Sequence, residues 1–205
     1  MPTYGLVDAD YGARLREMTD QADGPFHMLS LTKFLPGSGQ VFGRASGRDP
    51  DSRYVPISLL TAVGARLCLV ADVVAGSEWD RVGAIWYPSR RAFVDMHGRS
   101  DTRSWIARKQ QRAERVIMLG VMPTGDLPVE RSQRALLEVW HGPEPTPIAT
   151  GSATEFEVDG TYIGDGRQWS GARYTVIDPG TALPLEPVRF GYQAVLVEPI
   201  IERWT

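Results

Sequence analysis

Residues 80–114 read DRVGAIWYPSRRAFVDMHGRSDTRSWIARKQQRAE, and the way this stretch divides decides the fold. It opens as a strand over 81–87, because aromatic and branched apolar residues cluster there without Gly-Pro punctuation. Pro88-Ser89 ends the strand, and Ser89 is placed to cap a helix whose apolar residues Ala92, Phe93 and Met96 recur at helical spacing. Gly98 breaks that helix. A second helical run starts at Asp101, an N-cap candidate, and carries Trp105 and Ile106 towards a core with its charges outward. Residues 116–122, VIMLGVM, return as a strand. A strand, a helical layer and a returning strand predict half of a ferredoxin-like α/β sandwich, an α+β class.

Working outward towards the N-terminus, residues 8–22 suit an amphipathic helix with Tyr11, Leu15 and Met18 on one side, ended by Asp23-Gly24-Pro25. Residues 26–34, FHMLSLTKF, alternate with period two and are largely apolar on both faces, which predicts a strand covered on both sides. Residues 35–52 form a long Gly-, Arg- and Ser-rich loop, a length that often marks function. A helix over 53–63, with Pro56 in its first turn, ends at Gly64, and 66–74 is the next strand. The order β-α-β-β-α-β completes one unit over 1–122.

Towards the C-terminus, residues 123–132 read as a linker. Four strand-like segments follow at 135–141, 153–162, 172–177 and 193–199. The run from Gly76 through Trp79 and Trp86 to Pro88 is echoed by the run from Gly166 through Trp169 and Tyr174 to Pro179. The echo predicts an internal repeat, with 133–205 a degenerate, β-rich second ferredoxin-like unit whose helices have shrunk. The competing expectation is a β-rich extension that covers the first sheet.

At 205 residues, net charge -3 and pI near 5.7, nothing in the composition points to a nucleic-acid surface or an acidic-membrane binder, and neither partner is expected. Cys68 is the single cysteine, set in an apolar run, so no disulfide forms within the chain and a reducing compartment is expected. No apolar run approaches the roughly 20 residues of a membrane span, and no basic-then-apolar leader is visible. The expectation is a soluble cytoplasmic protein.

Several fragments resemble an uncharacterised domain-of-unknown-function family of the dimeric α/β-barrel superfamily. They are Gly24-Pro25 before MLSLTKF at 28–34, Ser46-Gly-Arg48 with Arg53-Tyr54, Gly64-Ala-Arg66, and Trp79-Asp-Arg-Val leading to Tyr87-Pro-Ser-Arg-Arg-Ala-Phe93. The resemblance covers about half of the chain. It implies a ferredoxin-like sheet packed face to face on another, and relatives that include cofactor-independent monooxygenases, cyclases, isomerases and haem-binding enzymes. A second unit in the same chain would replace the usual homodimer by an internal pseudo-dimer, with homodimerisation the alternative. Two positions depart from those relatives: Ser30 stands where Asn is frequent, and His97 where an aromatic such as Tyr is common.

His97 is accordingly the first candidate for acid–base catalysis, since imidazole titrates near neutrality. A helix-terminal histidine bonded to local carbonyls is the plainer explanation. Ser30, Lys33, Arg48 and Tyr54 are candidates to orient a carbonyl or carboxylate around the long loop, with Trp86 as a pocket wall; backbone contacts, water and core packing explain the same residues without a ligand. Glu155, Glu157 and Asp159 alternate along one strand, a pattern for a hard cation or, more simply, a solvated sheet face. His27, His97 and His141 have no metal-ligand spacing, so no metal is expected. The Gly37–Gly43 loop lacks a dinucleotide fingerprint, and no cofactor is expected. The expected function is a small-molecule enzyme, a monooxygenase, cyclase or isomerase acting on an aromatic or polyketide-like substrate; the alternative is a non-catalytic ligand-binding or scaffold protein.

Overall fold

The structure is a computed structural model, and it describes residues 5–36, 57–129, 132–178, 180–185 and 191–204. The strands are β1 (Leu6–Val7), β2 (Phe26–Phe34), β3 (Arg66–Gly76), β4 (Arg81–Tyr87), β5 (Ala113–Pro123), β6 (Arg134–Trp140), β7 (Ala153–Gly164), β8 (Gly171–Ile177) and β9 (Tyr192–Glu202). The described helices are α1 (Ala9–Glu17), α2 (Ile57–Thr61), α3 (Arg90–Gly98) and α4 (Ser100–Gln110). β2 and β4 fall where their alternation and aromatic clustering place them. α1 is shorter than the expected 8–22, and Asp8 caps it by accepting from the Tyr11 amide at 2.9 Å. α4 starts one residue before Asp101 with Arg99 as its N-cap, and the Asp101 carboxylate instead holds the Arg99 guanidinium.

The expected ferredoxin-like α/β sandwich is corrected. Eight strands run β7-β5-β2-β4-β3-β9-β6-β8, β8 pairs back onto β7, and every pair is antiparallel, so the sheet is a closed β-barrel with β1 added beside β7. The physical reason lies at the strand edges. β3 pairs β9 through Leu69↔Glu202 to Gly76↔Val195, and β5 pairs β7 through Met118↔Ile163 to Pro123↔Phe156. Edges that a two-layer sandwich would leave open thereby satisfy their N–H and C=O groups within one chain. The strands of residues 26–123 lie in the order fourth, first, third, second, and those of 134–202 repeat that order.

The alternation of β2 sorts the core into two layers. Leu29 and Leu31 point into the barrel with Val82, Leu119, Leu137 and Val195, whereas Phe26 and Met28 point outward beneath Tyr11, Leu15, Phe93 and Met96 of the helices. The described helices all come from residues 9–110, and they cover the first-half strands and part of β7. Among the described residues of 132–204 there is no helix; Ile148, Ala149, Leu183 and Leu185 of two irregular segments pack on Leu136, Ile177 and Leu196 instead. Beneath that cover Arg173 and Glu138 are buried as an ion pair at 3.4 Å. Arg173 also donates to Glu155 at 2.5 Å, and Tyr192 donates to Glu138 at 2.6 Å.

One end of the barrel is stoppered by Trp204, whose ring meets His27, Phe156 and Tyr174 at 5.8, 5.9 and 5.3 Å. The Glu202 carboxylate accepts from Tyr174 and Trp204 on one oxygen and from the Ser132 amide and hydroxyl on the other, so its charge is buried with its acceptors engaged. No described helix is long and apolar enough to cross a membrane.

Candidate functional site

α3 is held at its start by its cap and by the contacts of Arg90. Ser89 Oγ accepts from the Ala92 amide at 3.0 Å, and Asp23 accepts from the Arg90 amide at 2.7 Å. The buried Arg90 guanidinium then donates to Asp159 of β7 at 3.2 Å and to the Gly24 carbonyl at 3.2 Å. With its first turn fixed and Phe93 packed between Phe26 and Tyr87, the last turn presents His97 over β7.

His97 Nδ1 lies 2.9 Å from the Phe93 carbonyl oxygen. A carbonyl only accepts, so this bond places the proton on Nδ1 and leaves Nε2 as the basic nitrogen of a neutral ring. The ring is wedged between Phe93 at 4.0 Å and Tyr162 at 5.5 Å. Burial lowers its pKa; the Phe93 bond opposes that, and the Lys109 charge adds to it. The imidazole therefore rests unprotonated at neutral pH, the state a general base needs.

His97 lines a cavity of about 100 Å³ between α3, α4 and the outer face of the barrel. Met28, Ile85, Met96 and Trp105 make its apolar wall, and Ser30, Tyr162 and Lys109 supply polar groups. Ser30 Oγ donates to the Gly83 carbonyl at 3.3 Å, and the Lys109 ammonium sits 5.6 Å from the centre of the Trp105 ring.

Of the expected site residues, the structure brings His97 and Ser30 to one cavity. Lys33 is elsewhere, in an ion pair with Asp80 at 2.9 Å. Trp86 does not line the cavity; the Arg66 guanidinium lies 4.3 Å over its ring. Arg48 and Tyr54 lie outside the described residues. Tyr162 and Lys109 were missed. Tyr162 joins the site because β7 pairs with β5, a contact no local pattern announces. Lys109 was legible only as one charge among many on α4.

Among the described residues, Cys68 and the alternating carboxylates do not join this site. Cys68 is fully buried, and burial raises its thiol pKa, the state of an inert core cysteine. Among the alternating carboxylates, Glu155 is bonded to Arg173, and Asp159 accepts from Tyr11 at 2.8 Å as well as from Arg90. Among the described residues no three His, Cys, Asp or Glu side chains are grouped to hold a metal ion.

The fold thus defines a closed antiparallel β-barrel with helices on one side and a small cavity beneath them. No protein-family model matches the chain, and no curated protein does. A crystal structure of a protein of unknown function from Rhodopseudomonas palustris is similar to it at 21% identity and a TM-score of 0.43, over 60% of this chain and 98% of that one. A methylated form of that protein matches at 22% identity and a TM-score of 0.44, over 61% and 98%. The expected membership in an uncharacterised dimeric α/β-barrel family is corrected accordingly. The architecture is a closed barrel within one chain, no family model supports the resemblance, and the monooxygenase chemistry taken from it loses its basis.

Proposed function

We propose that the protein acts on a small aromatic or β-dicarbonyl molecule in the cavity beneath α3 and α4, with His97 as general base. The observation that carries this reading is the imidazole itself: neutral, held in one tautomer by Phe93, and set against an apolar wall. Burial keeps the imidazole unprotonated at neutral pH, and the Phe93 bond leaves Nε2 as the nitrogen that would accept a proton from an O–H or an activated C–H. A cavity of about 100 Å³ suits one small ring or a chain of a few heavy atoms. Ser30 and Tyr162 are the groups that would orient the ligand's oxygen atoms.

Non-catalytic binding is the second reading, and the Ser30 bond to Gly83 favours it, because that hydroxyl's proton is already committed. One experiment separates the two. Hydrogen–deuterium exchange at the central carbon of 2,4-pentanedione is followed with wild type and His97→Gln, alongside binding shifts of the His97 and Tyr162 resonances. The expected result is exchange at least about tenfold faster than with free imidazole at equal concentration, lost in His97→Gln. Binding without exchange selects the non-catalytic reading. Absence of both overturns the site.

A further inference from the structure

A second cavity, of about 340 Å³, opens at the barrel end opposite Trp204, where the β3–β4 turn, the start of β5, the end of β7 and the start of β9 meet. It shares no lining residue with the His97 cavity. β1 stands between them: Leu6 lines this mouth and Val7 lines the other, as alternate strand residues face opposite ways.

Three features give the mouth its chemistry. Trp79 is a buried aromatic wall, and its indole N–H donates to Gln193 Oε1 at 2.9 Å. An indole N–H cannot accept, so this bond settles which way the amide lies. The Gln193 NH₂, which meets no acceptor among the described residues, is thereby turned to the cavity from a side chain that is itself buried. At the rim, Arg115 pairs with Glu78 at 2.5 Å and Arg167 pairs with Asp165 at 2.5 Å. The Arg115 bond foremost lowers the Glu78 pKa, so that carboxylate stays charged across the neutral range.

Among the described residues, two cations and two anions line the mouth and leave it with no net charge. An ionic ligand would lose its hydration there without gaining a surplus counter-charge. Donors and acceptors alternating beside an aromatic wall match a flat ring that carries both. We propose that this mouth is a ligand site for an uncharged planar cyclic amide or imide of nucleobase size. Its ring lies against Trp79, its carbonyl accepts from Gln193 Nε2, and its N–H groups meet the rim carboxylates.

The test is an NMR titration of the full chain with uracil and, separately, with benzoate, an anion of similar size. Uracil is expected to shift the Trp79 indole and Gln193 side-chain amide signals, and benzoate to leave them in place. Gln193→Glu removes the donor and should weaken uracil binding about tenfold, the equivalent of one hydrogen bond. Asp165→Asn gives the rim a net positive charge and should invert the preference, so that benzoate binds and uracil weakens. Asp165 is on the surface, so this variant decides the matter even where Gln193→Glu does not fold. Uracil leaving the mouth signals unmoved at millimolar concentration, benzoate binding wild type as well as uracil does, or uracil shifting only His97 and Tyr162 would each overturn the proposal. None of these outcomes depends on whether His97 is a base.

Discussion

His27 and His97 show how far the immediate surroundings decide what an imidazole can do. His27 points into the barrel between Phe156 and Trp204, and neither ring nitrogen has a partner among the described residues. Burial chiefly, and the Arg66 charge secondarily, depress its pKa to about 4. A free histidine titrates near 6.5, so between roughly pH 6.5 and 4 the unfolded chain binds a proton that the folded chain refuses. Stability is then greatest above that window and falls as pH drops through it, by on the order of 3 kcal/mol for His27 alone. His27→Phe, which offers no titrating group, should flatten the acid slope of the urea midpoint over that range. An unchanged slope would mean that His27 is not what makes the fold acid-sensitive. His97 contributes in the same direction, but its Nδ1 bond gives the ring one defined basic face. The sequence marked His97 as a candidate and left His27 as one residue of a strand, because alternation shows which face a residue is on and not what it meets there.

At the scale of elements, α1 docks on β5 and β7 through a trough left by two glycines. A Cβ at Gly160 would lie 2.4 Å from the Tyr11 ring, and one at Gly120 would lie 2.0 Å from the Tyr11 hydroxyl. Glycine inside a strand ordinarily weakens it; here it lets an aromatic side chain lie against the backbone. Gly160→Ala should push Tyr11 out of the trough, break its 2.8 Å bond to Asp159 and cost about 2–3 kcal/mol. Urea unfolding would measure the loss, and hydrogen exchange at the amides of 9–17 would show whether α1 has come away. Local pattern located β2 and β4 because each combines alternation or aromatic clustering with a clear stop. It missed β1, whose two residues are too few to carry a period. It misplaced the start of α4, where Arg99 rather than Asp101 takes the capping position.

For the whole molecule, closure of the barrel is the decisive event. Neither half is complete alone: residues 1–129 would expose the edges of β3 and β5 and the apolar inner face that carries Leu29, Leu31, Val82 and Leu119. That fragment is expected to self-associate or aggregate, because open edges and apolar faces seek partners. Size-exclusion chromatography with light scattering would show it, and a stable monomer of 1–129 would contradict the account of closure. The cavities belong to this scale too. Ser30, His97, Lys109 and Tyr162 come from four elements, and Trp79, Arg115, Asp165 and Gln193 are brought together only when β9 and β7 take their places.

The sequence by itself determined the eight strands of the barrel (though not β1), the capped helix whose last turn carries His97, and the division of β2 into two apolar faces. These follow from short-range rules of periodicity, capping and chain reversal that act within a few residues. The tertiary structure alone decided that eight strands close into one barrel and which polar groups share a cavity. Those outcomes depend on long-range pairings such as β3 with β9, where Leu69 meets Glu202. The hydrogen bonds of such a pairing are the same for any sequence, so the partner is chosen by edges and faces that exist only once the rest of the chain has folded.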